Sequence, residues 1–141
     1  MSKRVSPAEA LELTTREGFT YVDVRTEAEW KAGHPTGSQN VPFLLSGPSG
    51  MAPNPEFVEV MKKLHAPEAK LVLGCKAGGR SAKAVAALVA AGFTNLVDQR
   101  AGWDGVRDSF GKLTEAGWSP AGLPSETETP GLSYGELKSR A

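Results

Sequence analysis

The chain has 141 residues, of which 40% are hydrophobic and 23% charged, a composition that suits one globular domain with one hydrophobic core. Sixteen basic residues balance sixteen acidic ones, so bulk charge does not support a nucleic-acid-binding or membrane-attracted surface. No apolar run has the length of a signal peptide or a membrane span, and we expect a soluble, cytoplasmic protein.

The first predicted element is a helix over residues 7–17. Ser6 is placed to cap its free amides, Pro7 suits the first helical position, and Glu9 stands where a capping box has its carboxylate. Gly18 predicts the helix end, because glycine readily adopts the left-handed conformation that follows many helices.

Strands and helices then alternate along the chain. Residues 19–24 are β-branched and aromatic and predict a buried strand. Further strands are predicted over 39–43, 71–73 and 95–98, and helices over 27–32, 56–64, 80–91, 102–110 and 113–118. This alternation predicts an open, mainly parallel α/β sheet of about five strands with helices on both faces.

Two segments have less regular sequences. Residues 44–55 are rich in proline and glycine and predict a long connection, which either covers the active face or only joins two elements. Residues 1–124 are assigned to the domain, whereas 125–141 are rich in Pro, Gly, Ser and Thr and predict a flexible C-terminal tail. The alternative is a tail that docks through its leucines and tyrosine, Leu132, Tyr134 and Leu137.

The only cysteine of the chain, Cys75, directly follows the predicted strand 71–73. Ligands of open parallel sheets bind beyond the carboxyl ends of the strands, so this thiol is expected at a binding edge. One cysteine forms no internal disulfide, and with only two histidines a zinc site is poorly supplied. The thiol is therefore either a small buried hydrophobe or a reactive group.

The residues after Cys75 favour a reactive thiol. Lys76 and Arg80 supply positive charge, and the start of the next helix adds its dipole, both of which favour a thiolate. Gly78 and Gly79 lack a Cβ, so backbone N–H groups there can point inward and form a nest for an anion. The whole candidate loop consists of Lys76, Ala77, Gly78, Gly79, Arg80 and Ser81.

Several short motifs accompany this loop in a fixed order. The central one is Cys75-x-x-Gly78-x-Arg80-Ser81 after an apolar strand. The others are Val22-Asp23-Val24-Arg25, Glu29-Trp30, Gly33-His34, Asn40-Val41-Pro42, Ala101-Gly102-Trp103-Asp104-Gly105 and the run 118–124. Over residues 5–124 the chain thereby resembles the rhodanese homology domain. It departs from that pattern at residues 35–38 and at Ala101, which affects the local shape of two turns.

The resemblance implies sulfur transfer without a metal or organic cofactor. Cys75 would take the outer sulfur of thiosulfate or another persulfide donor, carry it as a persulfide, and pass it to cyanide or a thiol, including a protein thiol. The loop amides would hold the persulfide, and Lys76 and Arg80 would attract the anionic donor. Two alternatives remain: a non-catalytic binding module, and a phosphatase or arsenate reductase, in which arginine stands six rather than five positions after cysteine.

Two charged pairs, Asp23 with Arg25 and Asp98 with Arg100, leave predicted strands at the edge expected for the cysteine loop. They either tune the electrostatic field of the site or have a structural role. In the structural role, Arg25 is predicted to pair with Glu29, four residues further on, and Asp23 to hold the neighbouring turn.

Overall fold

A parallel sheet lies at the centre of the chain, in a computed structural model that describes residues 3–77 and 79–141. The strands are β1 (Lys3–Val5), β2 (Thr20–Asp23), β3 (His34–Pro35), β4 (Gln39–Asn40), β5 (Leu44–Gly47), β6 (Gly50–Pro53), β7 (Leu71–Gly74), β8 (Leu96–Gln99), β9 (Gly105–Arg107), β10 (Leu113–Ala116) and β11 (Ser125–Glu126). The helices are α1 (Pro7–Arg16), α2 (Glu27–Ala32), α3 (Phe57–Leu64), α4 (Gly79–Ala90) and α5 (Tyr134–Arg140).

The central sheet has five strands in the order β1-β8-β7-β2-β4, and all neighbouring strands are parallel. The prediction of an open parallel α/β sheet of about five strands is therefore confirmed. The edge strand β1 was not predicted, because Lys3 and Arg4 are exposed and only Val5 is buried. Parallel pairing brings the C-terminal ends of β2, β7 and β8 to the same edge of the sheet.

Local sequence signals set the helix starts. The predicted capping box is present, since the Ser6 hydroxyl accepts the N–H of Glu9 while the Glu9 carboxylate accepts the N–H of Ser6. A second capping box, between Thr26 and Glu29, begins α2. In the described part of the chain, no helix combines the length and apolarity needed to cross a bilayer.

Apolar side chains form two cores, one on each face of the sheet. Successive residues of a strand point to opposite faces, so Leu71 and Leu73 of β7 enter the larger core and Val72 enters the smaller one. Cys75 continues the side of Leu71 and Leu73 and packs in the larger core. The sheet therefore directs the thiol toward the layer formed by α3, α4 and α5.

Residues 44–55 form a hairpin rather than an irregular connection. Strands β5 and β6 pair antiparallel, and Gly50 takes up a φ of +101° at the turn. The tip reaches the cysteine loop, because Sδ of Met51 lies 3.8 Å from Nη1 of Arg80. Of the two predicted roles for this segment, the structure favours the one that covers the active face.

The helices predicted over 102–110 and 113–118 are wrong, because this segment forms the hairpin β9–β10. The carboxylate of Asp108 accepts the N–H groups of Phe110 and Lys112, and Gly111 has a φ of +81°. An Asp residue and a left-handed glycine thus reverse the chain here. These turn signals outweigh the weak helical spacing of the apolar residues.

Residues 125–141 are packed on the domain, as in the docked alternative for the tail. Strand β11 pairs antiparallel with β3, whose His34 is fully buried. Helix α5 places Tyr134 and Leu137 in the larger core, and the Tyr134 hydroxyl is bonded by Nδ2 of Asn54 at 3.0 Å. Burial of these side chains outweighs the polar composition of the segment.

Truncation of Leu137 tests this docking. Leu137 is 0% exposed, so Leu137→Ala should lower the free energy of unfolding by about 2–5 kcal/mol through lost burial and a cavity. Val89→Ala is the control, because Val89 is 45% exposed on α4 and its loss should change stability by less than about 0.5 kcal/mol. Urea denaturation measures both. Equal, small effects of the two substitutions would contradict the packing of α5.

Candidate active site

Cys75 lies directly after β7, at the edge where the parallel strands end. The residue is only 2% exposed. The preceding Gly74 must lack a side chain, because a Cβ there would overlap the hydroxyl oxygen of Tyr21 on β2. Gly74 therefore allows β2 and β7 to pack closely at the residue before Cys75.

The cysteine loop leads from the core to the surface and back into α4. A Cβ at Gly79 would meet no atom within 4 Å, so space alone does not require glycine there. The predicted anion nest also involves Gly78, which lies outside the described residues, and the nest stays a prediction. In the rest of the loop Lys76, Ala77 and Gly79 are exposed, Arg80 is half-buried and Ser81 is buried.

The turn after β8 holds the cysteine loop in place. The N–H of Trp103 donates to the carbonyl oxygen of Cys75 at 2.7 Å, and the N–H of Asp104 donates to that of Lys76 at 2.9 Å. Gly102 has a φ of +65°, and a Cβ there would stand 2.5 Å from both of these carbonyl oxygens. Only glycine satisfies both the backbone conformation and the close approach.

Gln99 braces this turn and was missed by the sequence analysis. Its Oε1 accepts the N–H groups of Ala101 at 2.8 Å and Gly102 at 2.9 Å, and its Nε2 donates to the Gly102 carbonyl at 2.9 Å. The side chain is fully buried. The only sequence signal for the turn was the motif at 101–105, and Ala101 fits it without a left-handed conformation.

Ser81 connects Cys75 to the neighbouring strand β8. Sγ of Cys75 lies 3.6 Å from Oγ of Ser81, and the Ser81 hydroxyl donates to Oδ1 of Asp98 at 2.6 Å. Nε of Arg4, on β1, donates to Oδ2 of the same carboxylate at 2.9 Å. The predicted placement of Asp98 at this edge is confirmed, whereas Arg4 was missed because its strand was missed.

Arg80 forms a two-point ion pair with Glu29. Its Nη1 and Nη2 lie 2.7 Å and 3.1 Å from Oε1 and Oε2 of Glu29. Burial opposes ionisation of Glu29, but hydrogen bonds from Arg80 and Thr26 outweigh it and lower the pKa of Glu29 to about 2. The hydrogen bond with Glu29 likewise raises the pKa of Arg80 above its ordinary value. The predicted pairing of Glu29 with Arg25 is therefore wrong.

Arg25 pairs instead with Asp23, two residues before it. Nη2 of Arg25 lies 2.7 Å from Oδ2 of Asp23 and 2.6 Å from the carbonyl oxygen of Gly33, and the guanidinium stacks on the Trp103 ring at 4.8 Å. Oδ1 of Asp23 also accepts the N–H of Arg25 at 3.0 Å, which confirms that Asp23 holds this turn. The Arg25 guanidinium therefore packs on the turn whose backbone bonds to the cysteine loop.

The cations beside the loop are balanced by carboxylates. Nζ of Lys76 lies 3.7 Å from Oδ2 of Asp104, and both side chains are exposed. Arg25 pairs with Asp23 and Arg80 with Glu29. The expected excess of positive charge at the thiol is therefore reduced by pairing. Arg100 pairs with Glu115 of β10. Within residues 3–77 and 79–141, no three His, Cys, Asp or Glu side chains form a group suited to a metal ion.

Known proteins are similar to this chain in sequence and in architecture. A family model described as the rhodanese-like domain matches residues 6–109. Thiosulfate sulfurtransferase 16, chloroplastic, of Arabidopsis thaliana is 38% identical over 109 residues, which cover 77% of this chain and 81% of that protein. Thiosulfate sulfurtransferase 18 of the same plant is 38% identical over 98 residues, 68% of this chain and 70% of that one. The crystal structure of Rv0390 from M. tuberculosis has a TM-score of 0.73 at 27% identity and covers 90% of this chain and 98% of its own.

Substitution of Gly102 tests the close approach of the turn. Gly102→Ala should destabilise the protein by the cost of a left-handed alanine, about 1–2 kcal/mol, plus the cost of displacing two carbonyl oxygens. Gly122→Ala is the matched control, because Gly122 has a φ of +72° with no atom within 4 Å of its added Cβ. Urea denaturation compares the two. Equal losses would show that the approach to the cysteine loop imposes no constraint.

Proposed function

The chain belongs to the rhodanese-like domain family, and from this membership we propose that it is a sulfurtransferase in which Cys75 carries sulfur between donor and acceptor. The observation that supports this most is the placement of Cys75 at the end of β7, before a loop that leads into α4. Thiosulfate or another persulfide is the proposed donor. Cyanide or a thiol, including a protein thiol, is the proposed acceptor.

The proposed reaction moves the outer sulfur of the donor to Cys75 and then to the acceptor, in two steps. The Cys75 thiolate attacks the outer sulfur of thiosulfate, an Sγ–S bond forms, the donor S–S bond breaks, and its electron pair leaves with sulfite. Cys75 then carries a persulfide with its negative charge on the terminal sulfur. Cyanide or a thiolate attacks this terminal sulfur, the Sγ–S bond breaks, and Cys75 returns as a thiolate.

The surroundings of Cys75 support both steps. Burial of the residue in the larger core keeps water from the sulfur that is linked to the protein. The terminal sulfur would lie toward the loop, where α4 begins, and the positive end of a helix of 12 residues favours negative charge. We favour sulfur over a phosphate or arsenate substrate, because Arg80 stands five positions after Cys75 and is engaged by Glu29.

The ion pair of Arg80 with Glu29 bears on the choice of donor. A dianion such as thiosulfate gains from Arg80 only to the extent that Glu29 yields the guanidinium. A donor with a single negative charge at its outer sulfur, such as glutathione persulfide, depends less on this cation. We therefore propose that Glu29 limits the use of thiosulfate relative to such donors.

Intact mass spectrometry tests the role of Cys75. Wild-type protein incubated with thiosulfate or glutathione persulfide should gain the mass of one sulfur atom, and cyanide should remove it. Cys75→Ser should gain nothing, with its melting temperature near that of the wild type. Protein alkylated at Cys75 before incubation is a second control, because it lacks a free thiol while the rest of the chain is unchanged. Failure of the wild type with every donor would contradict sulfur transfer and leave the binding module as the better hypothesis.

Removal of the Glu29 charge tests the proposed control of the donor. Glu29→Gln keeps the capping position, since glutamine also forms a capping box, but frees Arg80 from an ion pair. We expect kcat/KM for thiosulfate to rise about two- to tenfold, equivalent to about 0.4–1.4 kcal/mol, with little change for glutathione persulfide.

Glu27→Gln removes the same charge from an exposed position in the first turn of α2 and serves as the control. Steady-state assays measure kcat/KM of the wild type and both variants with thiosulfate and with glutathione persulfide. An equal rise with both donors, or the same rise in Glu27→Gln, would contradict a specific effect of Glu29 on Arg80.

A further inference from the structure

A chain of hydrogen bonds runs from Cys75 through Ser81, in the first turn of α4, to Asp98 on β8 and Arg4 on β1. It passes from Sγ of Cys75 to Oγ of Ser81 at 3.6 Å, from Ser81 to Oδ1 of Asp98 at 2.6 Å, and from Oδ2 of Asp98 to Nε of Arg4 at 2.9 Å. Ser81 is 0% exposed, and Cys75 and Asp98 are each 2% exposed. Water therefore has little access to the hydrogen bonds that join Cys75, Ser81 and Asp98.

The direction of these bonds follows from the number of protons. A serine hydroxyl has one proton, and Ser81 donates it to the Asp98 carboxylate. Arg4 donates to the other carboxylate oxygen, which leaves Asp98 as the acceptor of both bonds. The Ser81 oxygen therefore presents a lone pair, not a proton, to the Cys75 sulfur. A lone pair accepts a bond from a thiol S–H, but it repels a thiolate.

We propose that Asp98 is a positioning residue that acts through Ser81 to favour the uncharged forms of the Cys75 sulfur over its thiolate. Two forms leave Sγ uncharged: the thiol, and the persulfide, whose negative charge lies on the terminal sulfur. The second half of this proposal rests on the proposed sulfurtransferase function. Asp98 then shifts the protein toward its sulfur-loaded form and keeps the thiolate a strong nucleophile, since nucleophilicity rises with basicity.

Other charged or titratable groups also face this thiol. Tyr21 and Asp23 lie on β2, with Arg25 bonded to Asp23; Arg80 lies on α4, bonded to Glu29; and Lys76 follows the cysteine, near Asp104. These side chains are unchanged in variants of Ser81 and Asp98, so comparison of each variant with the wild type measures the effect of the substituted residue.

Asp98→Asn reverses the direction of the bonds. Arg4 has only protons to offer, so the new amide should turn its oxygen to Arg4 and its NH₂ group to Ser81. Ser81 would then accept from the amide and release its own proton toward Cys75. The thiolate would gain a hydrogen-bond donor in place of a lone pair.

The pH profile of Cys75 alkylation by iodoacetamide measures this effect on the full chain, without sulfur chemistry. We expect the midpoint of the profile to fall by about one pH unit in Asp98→Asn, a tenfold change in the ionisation equilibrium. In a Ser81→Ala background the same substitution should move the midpoint by less than about 0.3 unit. A full shift in that background would mean that Asp98 acts by charge through space, and would overturn the proposal.

Ser81→Ala alone keeps the proposal testable if Asp98→Asn does not fold. Loss of the lone pair should lower the alkylation midpoint by about half a unit. A rise in the midpoint would mean that Ser81 normally donates to the thiolate, and an unchanged midpoint would mean that it does not affect the thiol. Either result would overturn the proposal.

Sulfur loading provides the second readout. At equilibrium with glutathione persulfide and glutathione, the fraction of protein carrying one extra sulfur, measured by intact mass, should be lower in Asp98→Asn. The loading constant should fall by about the tenfold factor expected from alkylation. An unchanged loading constant would overturn the assignment for the persulfide. If Asp98→Asn shows the alkylation shift but the wild type never loads sulfur, the sulfurtransferase function is refuted while the effect of Asp98 on the thiol stands.

Discussion

Two backbone hydrogen bonds, from Trp103 to Cys75 and from Asp104 to Lys76, hold the start of the cysteine loop. They require the turn after β8 to come so close that Gly102 has no room for a Cβ. That approach depends on the parallel pairing of β7 with β8, which ends both strands at the same edge. The register of the sheet therefore positions the cysteine loop through backbone hydrogen bonds, without a contribution from charged side chains.

The charges around the loop are arranged in pairs. A guanidinium that is half-buried without a carboxylate loses hydration with no compensation, so Arg80 beside Glu29 and Arg25 beside Asp23 are the stable arrangement. Pairing also lowers the attraction that these cations exert on an incoming anion. In the proposed sulfurtransferase, binding of negative sulfur would depend more on the start of α4 than on the number of basic residues, and a count of those residues in the sequence overestimates the positive field.

How much was predictable depends on where the stabilising contacts lie along the chain. The β7–α4 unit was predicted nearly to the residue, because its apolar run and helical spacing are strong local signals. Strand β1, the hairpin β9–β10 and α5 were missed, since short or polar segments are stabilised by partners far away in sequence. The site divides in the same way. Its contiguous loop was visible, whereas the pair of Arg80 with Glu29 joins residues 51 positions apart.

Two features of the first turn of α4 make opposite demands on charge at Cys75. The N-terminal end of the helix favours negative charge on a sulfur bonded to Sγ. Ser81, in the same turn, directs its proton to Asp98 and offers Sγ itself a lone pair. In the proposed arrangement, negative charge is therefore favoured one bond beyond Sγ and disfavoured on Sγ. A site that only made the thiol more acidic would stabilise the empty thiolate, whereas this asymmetry would stabilise a cysteine that carries sulfur.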